Sequence, residues 1–481
     1  MPIRRQHILF VLSGLAYIGL SIYFIWNDQA VYSLFPVALL AIYAAIYHPN
    51  WAFLSLAFLA PLSINIEEWT SSFGLFVPTE PLLFGCMVYF IWLQIKQPFL
   101  DATIWRHPIV WSVAIFLLWI AISSITSTHP LTSFKFLLAK LWFIVPLLIF
   151  GTYFLKDFIN IERFLWLFLV GMCIVVLYTV FHHATFRFGE KESHWVMWPF
   201  FKDHTIYGAI VALSLPLSIG LLRYKQHTPL VQAVLIGMIT IILTGLYFSY
   251  TRAAWLSVIA ALGVWLLIRL RISFSWIAGT AITAALVLFL SWDQIQMELE
   301  RNKQEHTTEE FGERLQSATN VSTDASNLER INRWSCAIAM FQERPIMGFG
   351  PGTYAFEYAR FQEPENLTII STNFGDMGNA HSEYLGPLAE MGVLGLLTFL
   401  GVVAALFYSG IRLYLDWPVD ERKYRVLILS MILSLTTYFV HGILNNYLDT
   451  DKASVPIWLM AAVFIVLRIE LTKRQALSVK N

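Results

Sequence analysis

Residues 327–361 read NLERINRWSCAIAMFQERPIMGFGPGTYAFEYARF, and residues 379–399 read NAHSEYLGPLAEMGVLGLLTF. The first stretch mixes charge, glycine and aromatic residues. The second begins polar and becomes apolar within a few residues, as a chain does on passing from water into lipid. Outward from this junction, apolar segments of about 20 residues, the length that crosses a hydrocarbon core, recur along the chain. They lie at 8–26, 30–47, 51–66, 79–95, 108–126, 135–155, 162–182, 204–222, 230–249, 253–270, 273–292, 381–411, 425–444 and 453–470. This pattern predicts an all-α polytopic membrane protein of about 12–14 transmembrane helices. Segment 51–66 is short for a span and is expected either to cross marginally or to lie re-entrant at the interface. Three parts follow: residues 1–292 as a bundle of about eleven helices, 293–380 as a large loop domain containing amphipathic helices, and 381–481 as the C-terminal helices.

Composition agrees. The chain is 57% hydrophobic and only 13% charged, against roughly 25% charged in soluble domains. Its neighbours are therefore membrane lipids. The formal net charge is zero, so no global field points to nucleic acid. Cys86, Cys173 and Cys336 have no metal-ligand spacing and read as thiols inside the fold. Arg4 and Arg5 precede a long apolar run without a small-residue cleavage site, which predicts a retained first helix.

Positive charge orients the chain. With the N-terminus inside, the inner loops hold Arg4, Arg5, Lys96, Arg106, Lys156, Arg163, Arg223, Lys225, Arg269, Arg271, Arg412, Arg422, Lys423, Arg425, Arg468, Lys473 and Arg474. The outer short loops at 27–29, 67–72 and 445–451 carry no Lys or Arg. By the positive-inside rule both termini are cytoplasmic, and Arg252, Arg330 and His381 all face outward.

These residues are suited to one kind of chemistry. Arg252 stands in SYTRAAW, where one span ends and the next begins; an Arg there commonly snorkels to headgroups. Arg330 and Arg333 lie one turn apart in ERINRW, on a helix whose apolar stripe is expected to be Ile331, Trp334, Ile338 and Phe341. That helix is expected to lie on the outer leaflet or over a cavity mouth. Separated guanidiniums on one membrane face are well made to clamp a diphosphate, since each offers a planar, permanently charged fork; Arg333 is the weaker candidate. Gly348 and Gly350 in MGFGPGTY form either a flexible turn or a backbone that approaches a ligand closely. His381, with Asn379 as candidate N-cap and Glu383 as candidate partner, heads the helix and is placed to act as general base. Glu390 falls on the opposite helical face from His381. Lys140, Glu80, Asp203, His204 and His441 also gather toward outer ends of spans. HExxH is absent and no His pair stands at metal-ligand spacing, so neither a metal nor another cofactor is expected. A pump would carry carboxylates in mid-span, and charge is scarce there.

The combination of Arg330 and Trp334 on one helix, RPIMGFGPGTYAFEY, and NAHSEYLGPLAEMGVLGLL resembles the O-antigen ligase family. That superfamily includes O-antigen polymerases and protein O-oligosaccharyltransferases. Its pattern is an Arg-headed amphipathic helix, then P-x-x-G-x-G, then H-N-x-x-L-x-x-L-A-E-x-G-x-x-G; Ser382 stands here where Asn is usual. YTRAAW resembles another family motif, as does DHTIYGAIVALSLPLSIGLL, where His204 replaces a common Asn. The resemblance implies a metal-independent glycosyltransferase of the bacterial inner membrane, acting at the periplasmic face. It implies an undecaprenyl-diphosphate-linked glycan as donor, with lipid A-core or another hydroxyl as acceptor. Arg252 and Arg330 would bind the diphosphate, and His381 would activate the acceptor. O-antigen ligation, polymerisation and protein glycosylation share these motifs. A transporter or flippase without chemistry is the remaining alternative; it predicts mid-span charge and two related halves, and neither is apparent.

Overall fold

The computed structural model describes residues 2–26, 43, 47–67, 74–271, 325–362 and 378–478. The span expected at 273–292, nearly all of that expected at 30–47, and the charged first part of the large loop lie outside these residues. Residues 1–56 form one compact unit, whose first helix is α1 (Pro2–Trp26). Helix α2 (Pro49–Leu62) has 14 residues, too few to cross the core upright, in keeping with the short segment read there. It leads into a two-stranded antiparallel hairpin, β1 (Ile64–Asn65) against β2 (Phe76–Val77), with Ile64 opposite Val77.

The other unit, residues 57–481, contains α3 (Thr79–Lys96), α4 (Pro108–Ile125), α5 (Pro130–Phe154), α6 (Phe158–Thr185), α7 (His204–Arg223), α8 (Pro229–Phe248) and α9 (Arg252–Arg269). After a gap in the described chain come α10 (Ala325–Glu343), α11 (Leu385–Asp416), α12 (Arg422–His441) and α13 (Asp451–Ser478). Among the described residues nine helices, α4 to α9 and α11 to α13, are long and apolar enough to cross a membrane. The protein is all-α and polytopic.

The helix ends follow local chemistry. Pro108, Pro130 and Pro229 open α4, α5 and α8, where the missing N–H costs nothing and the fixed φ suits the first turn. Asp203 caps α7, its Oδ1 accepting from Thr205 N at 2.7 Å and Ile206 N at 3.1 Å. Within α5, Val145–Phe150 is π-helical; Pro146 cannot donate to the ladder, so the turn widens around it.

Burial sorts the helices. In α7, 83% of the spanning window is buried, whereas in α9 the share is 17%. Helix α7 is thus central, against α8, α9 and α12, while α9 presents an apolar outer surface that lipid must cover. Helix α4 packs on α11. A Cβ at Gly208 of α7 would press on Thr251. The missing side chain lets the start of α9 approach α7, and Thr251 Oγ1 donates to His204 O at 2.8 Å.

One end of this bundle collects basic residues in ion pairs: Lys225 with Glu162, Arg468 with Asp416, Lys473 with Asp101 and Arg474 with Glu421. The opposite end carries the starts of α7, α9, α11 and α13 and the end of α12. The candidate residues gather there.

Candidate active site

Helix α10 matches the expected amphipathic stretch, but its inward face differs. The buried positions are Glu329, Asn332, Arg333, Cys336, Ala337 and Met340, and Ile338 is 41% exposed. Ile331, Trp334 and Phe341 are only half-buried. The inner face is small or polar because the helix meets α11 and the turn before it closely, and because its charges are satisfied internally. Arg333 Nε donates to Glu329 Oε1 at 2.7 Å, and Arg333 Nη1 donates to Asn379 O at 3.2 Å. The Arg333 guanidinium lies 5.1 Å from the Tyr358 ring centre. Arg333, the weaker candidate from sequence, is thus the buried brace of the turn that carries His381.

That turn precedes α11 rather than belonging to it. The helix begins at Leu385, and its first N–H groups are taken by Ser382 Oγ, from Tyr384 N at 3.2 Å and Leu385 N at 3.3 Å. Asn379 is therefore not the N-cap; its Oδ1 accepts from His381 N at 3.0 Å, an Asx turn. His381 has φ +45°, a left-handed conformation costing roughly 1–2 kcal/mol for an L-residue. The neighbours hold it: Trp334 Nε1 reaches His381 O at 3.4 Å. Burial foremost, then the Arg333 and Arg330 guanidiniums, lower the imidazole pKa from 6.5 to about 4, opposed by Glu329 and Asp203. The ring is neutral at physiological pH.

Arg330 Nε donates to Leu444 O at 3.3 Å, in the loop after α12. The same loop is tied to the His381 turn by Glu383, whose N donates to Gly442 O at 2.8 Å. Glu383 Oε1 accepts from Tyr438 Oη at 2.6 Å, Tyr447 N at 2.6 Å and Leu448 N at 2.8 Å. So Glu383 partners the loop, not the imidazole. On the far side of the loop, Tyr447 Oη meets Thr205 Oγ1, which in turn donates to Asp203. His441, buried at the end of α12, lies against the backbone of Ala253 and accepts from Asn445 Nδ2 at 3.1 Å. Half-buried Arg252 is the residue before Ala253, at the head of α9. His204 stacks on His194 with ring centres 4.1 Å apart. Arg330, His381, His441 and Asp203 are thus close enough to act on one another electrostatically.

The glycine turn packs on the chain itself. A Cβ at Gly348 would enter the backbone of Glu390, and one at Gly350 would enter Ser127. Gly350 N donates to Glu390 O at 2.7 Å, while the Glu390 carboxylate accepts from Gly352 N at 2.9 Å and Tyr354 N at 3.0 Å. Helix α11 breaks at Gly392 (φ +69°), and Val393 N donates across to Pro345 O at 2.8 Å. Glu390, which sequence spacing set apart from His381, has its own task here: its carboxylate moors the glycine turn.

Among the described residues, no group of three or more His, Cys, Asp or Glu gathers as a metal site. The family model described as O-antigen ligase matches residues 236–400, the segment that encloses Arg252, Arg330, Arg333, Gly348, Gly350, Asn379, His381 and Glu383. Over this third of its length the chain is similar to the O-antigen ligase family. No curated protein matches it. Asp203, Tyr438, His441 and Tyr447 lie outside the matched segment, and two of them, Tyr438 and Tyr447, had no signal in the sequence. The Glu329–Arg333 pair did have one, the i,i+4 spacing of opposite charges on a helix.

Proposed function

We propose that this protein is a member of the O-antigen ligase family and transfers a glycan from an undecaprenyl-diphosphate carrier to a hydroxyl acceptor at the periplasmic face of the bacterial inner membrane. The acceptor most in keeping with the family description is lipid A-core. The observation that carries the reading is the half-buried, neutral imidazole of His381 beside the Arg330 guanidinium, at the end of the bundle away from the basic loops.

The acceptor oxygen attacks the anomeric carbon of the first sugar. The bond from that carbon to the diphosphate oxygen breaks, and the acceptor proton passes to His381. Such a base contributes roughly 10²–10⁴-fold. The leaving lipid diphosphate gains charge, which Arg330 and Arg252 offset as fixed, already oriented cations. The carrier's phosphoanhydride makes it a good leaving group, so no nucleotide is needed outside the cytoplasm, and the guanidiniums take the role that a metal plays in other glycosyltransferases. Arg333, Asn379, Trp334 and Glu383 hold the turn in place. Polymerisation of carrier-linked repeats and glycosylation of a protein use the same chemistry on other acceptors.

The test is a deletion strain complemented with variants. His381→Ala, Arg330→Ala and Arg252→Ala are expected to insert normally and to leave lipid A-core unglycosylated, with long chains retained on the carrier. Wild-type attachment in the His381→Ala strain would overturn the base assignment. Accumulation of single carrier-linked repeats would instead identify a polymerase.

A further inference from the structure

Beneath the His381 turn lies a cavity of about 200 Å³ that the transfer chemistry above does not use. Gly378, Asn379 and Ser382 form one wall, and His381 is not part of the lining. The opposite walls come from α4, α5, the glycine turn and the loop before α13. Its polar groups differ in kind from those around Arg330. Glu383, Glu390 and Asp449 contribute carboxylates against a single ammonium, Lys140, which is ion-paired with Asp449. The one ammonium in this lining is already paired, so a diphosphate finds no available cation there.

The hydrogen-bond ledger of the cavity is incomplete. Both oxygens of Glu390 are engaged by backbone N–H groups. Glu383 places all its bonds on Oε1, and among the described residues nothing donates to Oε2. Asn446 Oδ1 is buried with no partner. A buried acceptor left without a partner, as Asn446 Oδ1 is, costs free energy unless a ligand or water donates to it. Aromatic faces stand beside them: the Phe136 ring, with the Lys140 ammonium 5.0 Å from its centre, and Tyr354. Hydroxyl donors set around an apolar face are the signature of a sugar ring, and the volume suits one ring rather than an oligosaccharide.

We propose that this cavity is a sugar subsite that seats one uncharged pyranose ring of the glycan beside the turn bearing His381. The inference rests on the glycan-transfer reading and deepens it. The outward end of the bundle then divides into a cationic half for the diphosphate and a hydroxyl-accepting half for a sugar. The ring can belong to the donor's glycan or to the acceptor's saccharide; the chemistry is the same.

Gly386 offers the test. It lines the cavity in the first turn of α11, and a Cβ built there meets nothing within 4 Å. Gly386→Leu therefore fills the space while leaving the backbone unstrained. Purified full-length wild type is expected to give saturation-transfer NMR signals with methyl α-glucoside or methyl α-galactoside. Gly386→Leu should lose them, and Arg330→Ala should keep them. In transfer assays, KM should rise about tenfold, the scale on which one pocket commonly discriminates. A rise for the lipid-linked donor assigns the ring to the donor, and a rise for the acceptor assigns it there. Asn446→Ala, which removes one acceptor without adding bulk, should weaken the same signals and guards against misfolding of the leucine variant. Unchanged binding and unchanged KM for both substrates in Gly386→Leu would overturn the subsite, as would an absence of glycoside signal in wild type. Glycoside binding by a protein that transfers nothing would instead sink the transfer reading and spare the subsite.

Discussion

Burial and two guanidiniums hold the His381 imidazole at about 4 rather than 6.5, and this has kinetic consequences. A base titrating there is wholly neutral at pH 7, yet weaker than one matched to working pH. On the proposed binding mode, a donor diphosphate beside Arg330 would favour the protonated ring and raise the pKa. The acid limb of kcat/KM, which reports the free enzyme, is expected near pH 4. The acid limb of kcat, which reports the loaded enzyme, should lie higher. Coincident limbs near 6.5 in pH–rate profiles of purified enzyme would contradict the burial of this ring. The same depression affects folding. The unfolded chain binds this proton more readily, so stability is fully present above 6.5 and declines as pH falls toward 4. What reads from sequence here is the residue type and its neighbourhood. The left-handed backbone of His381 and the Arg333 brace do not, because both depend on contacts across residues distant in the chain.

At the level of elements, the site is built by docking α11 onto the segment that follows α10. Gly392 and Gly348 interlock there: a Cβ on Gly392 would enter the carbonyls of Pro345 and Ile346, at a φ of +69°. Gly392→Ala is expected to destabilise the protein by roughly 1–3 kcal/mol through the left-handed backbone and the clash together. Gly401, also in α11, meets nothing within 4 Å, so Gly401→Ala should be neutral or slightly stabilising. Thermal unfolding in detergent separates the two, and equal effects would argue against the dock. The helices themselves were readable: apolar length predicted every described span, though α5 starts at Pro130 rather than 135 and α13 runs on to Ser478 rather than 470. The inward face of α10 was not. Periodicity favoured Ile331, Trp334 and Ile338, but close packing of Cys336 and Ala337 and the internal Glu329–Arg333 pair turned the polar stripe inward. An apolar stripe left outward near a membrane has lipid to meet, so hydrophobicity alone does not say which face of an interfacial helix is the core.

On the scale of the whole chain, function depends on which end of the bundle faces which compartment. The basic residues of the short loops cluster at one end, paired with Asp101, Glu162, Asp416 and Glu421, whereas the end bearing His381 has Arg330 and Arg333 bonded into the site. Positive loops stay in the cytoplasm, so the His381 end should face outward, where the proposed carrier-linked donor and acceptor would be met. Single-cysteine labelling can decide this, because Cys86, Cys173 and Cys336 are all buried and give little background. Ile443, beside the site, is 49% exposed, and Val419, at the basic end, is 79% exposed. A membrane-impermeant maleimide applied to cells with a permeabilised outer membrane is expected to label Ile443→Cys and to spare Val419→Cys. Disrupting the inner membrane should then expose Val419→Cys. The reverse order would put the proposed diphosphate clamp in the cytoplasm, where nucleotide-sugar donors are available, and the case for a lipid-diphosphate leaving group would lose its physical basis.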